Sequence, residues 1–157
     1  MTDLTTRITF TPVIPEDFAK LVDLRVAAMR EGLEHLGRFN PERARERLRK
    51  SFYPEHTRYI VFDGQKVGFY TFRPFGDALY LDHLYVLPGH QSLGIGSHVM
   101  RKLIAEADAR RQPIHVGALK GSASNRFYQR HGFKIEREED WDIYYVRPAA
   151  DGVGSEL

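Results

Sequence analysis

The chain has 157 residues, 42% hydrophobic and 28% charged, which suits one domain with a sizeable core. With 23 basic against 21 acidic residues, the formal net charge of +2 gives no electrostatic case for nucleic acid. The absence of cysteine excludes disulfides, thiolate metal sites and a cysteine nucleophile, and no metal site is expected.

Met1 to Phe10 has no apolar run and does not read as a secretory signal. No stretch approaches the roughly 20 apolar residues of a membrane helix, so a cytoplasmic protein without membrane contact is expected. Residues 7–13 alternate and read as a first strand. Pro15, Glu16 and Asp17 open a helix whose apolar stripe runs through Phe18, Leu21, Val22, Ala28, Met29, Leu33 and Leu36. Gly37 is its expected stop. Asn40-Pro41-Glu42 opens a second, basic helix ending near Ser51, with Ala44, Leu48 and Phe52 turned inward.

An antiparallel meander follows. Residues 56–63 form a strand, Asp63-Gly64 is a hairpin signal, and residues 66–73 are the partner strand. Residues 74–77 read as a turn and residues 78–87 as a third strand. A glycine-containing loop then enters an amphipathic helix to about Arg111, with Val99, Met100, Leu103, Ile104 and Ala107 on one side. Residues 114–119 form a short strand, 122–131 a short helix capped by Gly132, and 133–139 and 141–146 two last strands. The order implies a mixed α+β fold: a mostly antiparallel sheet flanked by helices. One domain over residues 1–148 and a flexible tail over 149–157 are expected. Trp141, Tyr144 and Tyr145 fit either a homodimer face or core packing.

The loop Gln91-Ser92-Leu93-Gly94-Ile95-Gly96-Ser97 lies between a strand and a helix. A helix start exposes unpaired N–H groups and a partial positive charge, which suits phosphate oxygens. Glycines at 94 and 96 let ligand approach the backbone. Read alone, the loop fits phosphate binding or a mere tight turn. The Gln-x-x-Gly-x-Gly spacing after Val86-Leu87-Pro88, with Phe127-Tyr128-x-x-x-Gly132-Phe133 downstream, resembles the GNAT superfamily of N-acetyltransferases. The likeness in element order covers residues 7–146.

The resemblance implies acetyl-CoA as co-substrate and an amine acceptor, of a small or amino-acid-like molecule, with acetylation of a protein amine or a silent acyl-CoA-binding module as alternatives. It implies backbone pairing of Leu84, Tyr85 and Val86 with the pantetheine arm. The amides of Ser92, Leu93, Gly94, Ile95, Gly96 and Ser97 would hold the pyrophosphate, and Gln91 is a further cofactor-binding candidate. Tyr128 would serve the departing thiolate, or it is an aromatic core residue of the short helix. Gly121 stands where many relatives carry asparagine, so part of that cofactor contact is expected of Asn125 or Ser122, with a plain surface helix residue as the other reading of Asn125.

By strand alternation Tyr80, Asp82, Leu84 and Val86 share a face. Asp82 reads either as general base or as a hydrogen-bonded strand acid, and His83 points into the core. Arg25 lies on the apolar stripe, where a charge needs a partner. That partner is expected to be Asp82 or Glu34, or an anionic group on the substrate. Glu31 and Glu34 are candidates to attract a cationic amine, or simply exposed acids, and Tyr80 is a further substrate-side candidate.

Overall fold

A computed structural model describes residues 4–35, 37 and 40–150, the side chains of Glu31 and Leu33 excepted. The expected roles of Leu33, Leu36 and Glu31, and the tail from Asp151, therefore lie outside the described residues.

A short helix α1 (Leu4–Arg7) leads into β1 (Ile8–Pro12). Helix α2 (Phe18–His35) follows a 3-10 turn at Pro15–Asp17 and stops at Gly37, whose φ is +70° and whose N–H donates to the Glu34 carbonyl. Helix α3 (Pro41–Lys50) starts where Asn40 Oδ1 accepts from the amides of Glu42 and Arg43 at 3.0 and 3.1 Å. Then come β2 (Thr57–Phe62), β3 (Gln65–Phe75), β4 (Ala78–Val86), α4 (Ile95–Arg110), β5 (Ile114–Leu119), α5 (Ser124–Arg130), β6 (Lys134–Glu138) and β7 (Asp142–Arg147). Asp63 and Gly64 take φ of 50° and 83°, as their hairpin requires.

The seven strands form one mixed sheet in the order β1-β2-β3-β4-β5-β7-β6. β2 pairs antiparallel with β1 and with β3, and β7 with β5 and with β6; β4 and β5 are parallel. β3 runs through Pro74, which the sequence marked as a turn. The last β2 partner on β3 is Thr71, so the missing N–H of Pro74 costs no bond to β2.

The chain forms two compact units. One comprises residues up to Thr71 with Asp82–His98, the other Phe72–Leu81 with Val99 onward, so β3, β4 and α4 each contribute to both. In the first, Leu21 and Val22 of α2 and Leu48 of α3 pack with Val13, Tyr59 and Phe69. Complete burial of each large apolar side chain contributes about 1.5–3 kcal/mol. In the second, Met100, Leu103, Ala107, Ile114, Val116 and Tyr145 are buried. Tyr145 is core while Trp141 is 56% exposed, so the three aromatics read together from the sequence do not act as one patch.

Candidate active site

β4 changes character halfway along. The Leu79 N–H donates to the Pro113 carbonyl, toward β5, and the register continues only through Tyr80↔His115 and Leu81↔Val116. The Leu87 N–H instead donates to the Val67 carbonyl, toward β3. In a regular strand, residues 79 and 87 would aim their amides to the same side. The reversal requires an irregular residue between them, as in a β-bulge. Burial agrees: Tyr80, Asp82 and Leu84 are half-buried but Val86 is buried, so Val86 leaves the face that alternation assigned to all four. Past the reversal, Leu87 faces β3, so by alternation the amide groups of Val86 point away from it. A Cβ added to Gly68 on β3 would lie 1.9 Å from the Tyr85 carbonyl oxygen, so only glycine lets the backbone approach this way.

The loop after β4 is a 3-10 turn, Pro88–Leu93, ended by Gly94 in the left-handed region at φ +82°. The Gly94 carbonyl accepts from the His98 N–H at 3.0 Å, so α4 starts at Ile95. The amides at the start of that helix have no intrahelical acceptor. Ser92, Leu93 and Gly94 are exposed, Gly96 and Ser97 half-buried, and Ile95 is fully buried and anchors the turn. Gln91 was read as a cofactor ligand. Its side-chain amide instead donates to the Val86 carbonyl at 2.8 Å and ties the loop to the end of β4.

Arg25 is buried, and its described partners are not carboxylates. It donates to the Ala44 carbonyl, and through Nε to the Tyr85 hydroxyl at 3.0 Å, with its guanidinium 5.6 Å from the Tyr85 ring centre. The expected ion pair with Asp82 or Glu34 is therefore corrected. Glu34 is exposed and pairs with Arg30 one turn earlier at 3.0 Å. Asp82 is half-buried and engaged by neighbours.

The hydrogen bonds beyond Arg25 have a forced direction. Arg25 only donates, so the Tyr85 hydroxyl accepts from it and passes its own hydrogen to His83 Nδ1 at 3.3 Å. His83 then carries its hydrogen on Nε2, which donates to Ser51 Oγ at 2.8 Å. Ser51 Oγ donates on to the Arg47 carbonyl at 3.0 Å. Every member is satisfied only with a neutral imidazole. Burial, helped by the Arg25 cation, pushes His83 from 6.5 down to about 3.

The fold holds His83 neutral, whereas the unfolded chain protonates it below about 6.5. Stability is therefore expected to fall on acidification between about pH 6.5 and pH 3, with a limiting slope of roughly 1.4 kcal/mol per pH unit from this residue. Urea titrations across that window should show the slope, and His83→Gln should remove it.

In the second unit, Tyr128 on α5 is buried, its ring packing on Phe127, Phe133 and Tyr145 with centroids 5.6, 5.6 and 6.1 Å away. Asn125, expected to contact the cofactor, has its amide group committed inside this unit. Its nitrogen donates to the carbonyls of Leu119 and Ser122 at 2.9 and 3.0 Å, and Oδ1 accepts from the Tyr145 hydroxyl at 2.7 Å. Asn125 thus closes the β5–α5 turn and fastens it to β7. Gly121, in that turn, has φ +85°. Tyr80 sits against Phe75, Arg73 and His115. In the first unit, α2 and α3 border a groove of about 520 Å³ lined by Val22, Val26, Arg30, Glu42 and Arg45 among others. Sequence reasoning missed Gly68, Ser51 and the change of side in β4, for which no local signal exists.

β4 thus leaves β5 after three residues and is followed by a glycine-opened helix start. Residues 54–135 match the family model described as acetyltransferase (GNAT) domain. The fold is similar to PaiA N-acetyltransferase from Thermoplasma acidophilum, solved with coenzyme A, at 15% identity over 90% of this chain and 98% of that one, TM-score 0.73. It is similar also to an acetyltransferase from Thermus thermophilus (18%, 90% and 97%, 0.71). The ribosomal-protein-S18-alanine N-acetyltransferase from Escherichia coli is a third (18%, 96% and 98%, 0.67). The chain belongs to the GNAT family of acetyltransferases, and acetyl-CoA is the co-substrate that membership implies. No described helix is long and apolar enough to cross a membrane.

Proposed function

We propose that this protein moves the acetyl group of acetyl-CoA to a primary amine of a small or amino-acid-like molecule, by direct attack in a ternary complex. The change of side in β4 carries the reading, because past it the Val86 backbone points out of the β3 ladder next to the loop 91–97. In this reading the edge at Leu84–Val86 takes the amides of the pantetheine arm as an added strand would. The first amides of α4 meet the pyrophosphate. Asp82, directly or through water, takes the proton of the incoming ammonium, and a backbone N–H of β4 stabilises the oxyanion. The Tyr128 hydroxyl protonates the departing thiolate.

Thiol release from acetyl-CoA, followed across a panel of small amines and N-terminal peptides, tests it. Turnover of small primary amines is expected. Turnover confined to peptides overturns the acceptor class, and none with any amine overturns the enzyme.

Gln91→Ala removes the brace on Val86 without touching the helix amides. A neutral hydrogen bond is worth about 0.5–1.5 kcal/mol. The KM for acetyl-CoA should therefore rise roughly two- to tenfold at nearly unchanged kcat. Initial rates at varied acetyl-CoA read this directly.

A further inference from the structure

A second feature lies wholly within the unit formed by Phe72–Leu81 and Val99 onward. A cavity of about 280 Å³ opens on the sheet there, with Phe75, Tyr80, His115, Glu136, Arg137 and Tyr144 in its lining. Three local devices build it. Tyr80 and His115 are register partners on parallel strands, and their rings stack at 21° with centroids 6.4 Å apart. Phe75 meets both edge-on. On β7, Tyr144 pairs with Gly117 of β5, and a Cβ at Gly117 would come within 3.0 Å of the Tyr144 ring. The glycine thus lets that ring lie across the neighbouring strand.

The third device is a bulge. Ile135 pairs with Tyr145 and Arg137 with Tyr144, so Glu136 is the extra residue of β6 and its side chain is re-aimed. It reaches over β7 to His115, Nδ1 to Oε1 at 3.3 Å. An ionised carboxylate only accepts, so His115 carries a hydrogen on Nδ1, which in the neutral ring leaves the lone pair on Nε2. Nε2 has no hydrogen-bond partner among the described residues.

The polar end of the cavity therefore presents two acceptors, Glu136 and Nε2. Its walls are aromatic faces, which attract cations. The chain's own guanidiniums show the attraction: Arg137 lies 4.1 Å from the Tyr144 centroid while paired with Glu139, and Arg73 lies 5.4 Å from both Phe75 and Tyr80. We infer that this cavity is a recognition site for a small organic ammonium, its N–H groups on His115 Nε2 and Glu136 and its apolar part against Tyr80 and Tyr144. The carboxylate of Glu136 supplies the countercharge, and the His115 orientation that it enforces makes the site select a donor over an acceptor of hydrogen bonds.

Benzylamine, benzyl alcohol and benzoate have nearly one shape and differ in charge. Each is titrated calorimetrically into the full chain without acetyl-CoA, with the His115 ring signals followed by NMR. Benzylamine should bind and shift the His115 resonances, the alcohol at least tenfold more weakly, and benzoate not measurably. Glu136→Gln should weaken benzylamine at least tenfold with Tm unchanged. Tyr144→Leu, which keeps the carboxylate, should weaken it to a lesser degree. Benzoate binding as well as benzylamine, or benzylamine binding that ignores Glu136→Gln and leaves His115 unshifted, overturns the inference. Amine binding without any acetyl transfer supports this site and counts against the transfer reaction, so the two readings fail separately.

Discussion

Replacing Tyr128 with phenylalanine is expected to lower kcat by about 10²–10⁴-fold, the range of a positioned general acid, while the protein stays folded. The fold uses the ring and the backbone carbonyl. The ring is buried against Phe127, Phe133 and Tyr145, and the Tyr128 carbonyl, untouched by the change, accepts from the amides of His131 and Phe133. Phenylalanine keeps each of these and removes only the hydroxyl. The thermal midpoint should therefore move little, and the KM for acetyl-CoA should stay close to that of the parent protein. The loss should also depend on the leaving group. A thiol of lower pKa needs less help from an acid, so an activated thioester donor should recover much of the rate in Tyr128→Phe. Steady-state kinetics with the two donors decide the matter. Parental kcat in the variant, or an equal loss with both donors, would remove Tyr128 from the chemistry and leave it as core.

The second large effect is on stability. Gly68→Ala adds one carbon 1.9 Å from the Tyr85 carbonyl oxygen, and both partners are backbone, so no side chain can swing aside. Overpacking of this kind costs about 1–3 kcal/mol and occasionally more. For a chain of this size each kcal/mol lowers Tm by roughly 2–4 °C, so a drop of about 2–12 °C is expected. Gly89→Ala is the control, because nothing lies within 4 Å of its added Cβ and its φ is not positive. Scanning calorimetry of the pair should separate them, and equal midpoints would show that the close approach at Tyr85 is not required. Because Tyr85 is next to Leu84, any surviving Gly68→Ala fold should also have a raised KM for acetyl-CoA.

Features set by residues close together in the chain were legible in the sequence alone. The Asn40-Pro41 start, the Asp63-Gly64 hairpin, the Gly37 stop and the stripe from Val99 to Ala107 involve residues within a few positions of each other. Local hydrogen bonds, backbone freedom and helical period act at that range. The glycine loop was legible for the same reason: the φ of Gly94 and the start of α4 at Ile95 are local consequences of the residues present. The remaining features depend on contacts between distant parts of the chain. Arg25 was correctly seen to need a partner, but Ala44 and Tyr85 lie 19 and 60 residues away, and nothing in the helix announces them. Asn125 is spent on Tyr145, twenty residues on, because β7 comes to lie beside β5. Asp82 and Leu84 kept their place on the β4 face, while Val86 left it. A strand's alternation holds only while both neighbours stay in register, and β4 exchanges one neighbour's bonding pattern for another's between Leu81 and Leu87.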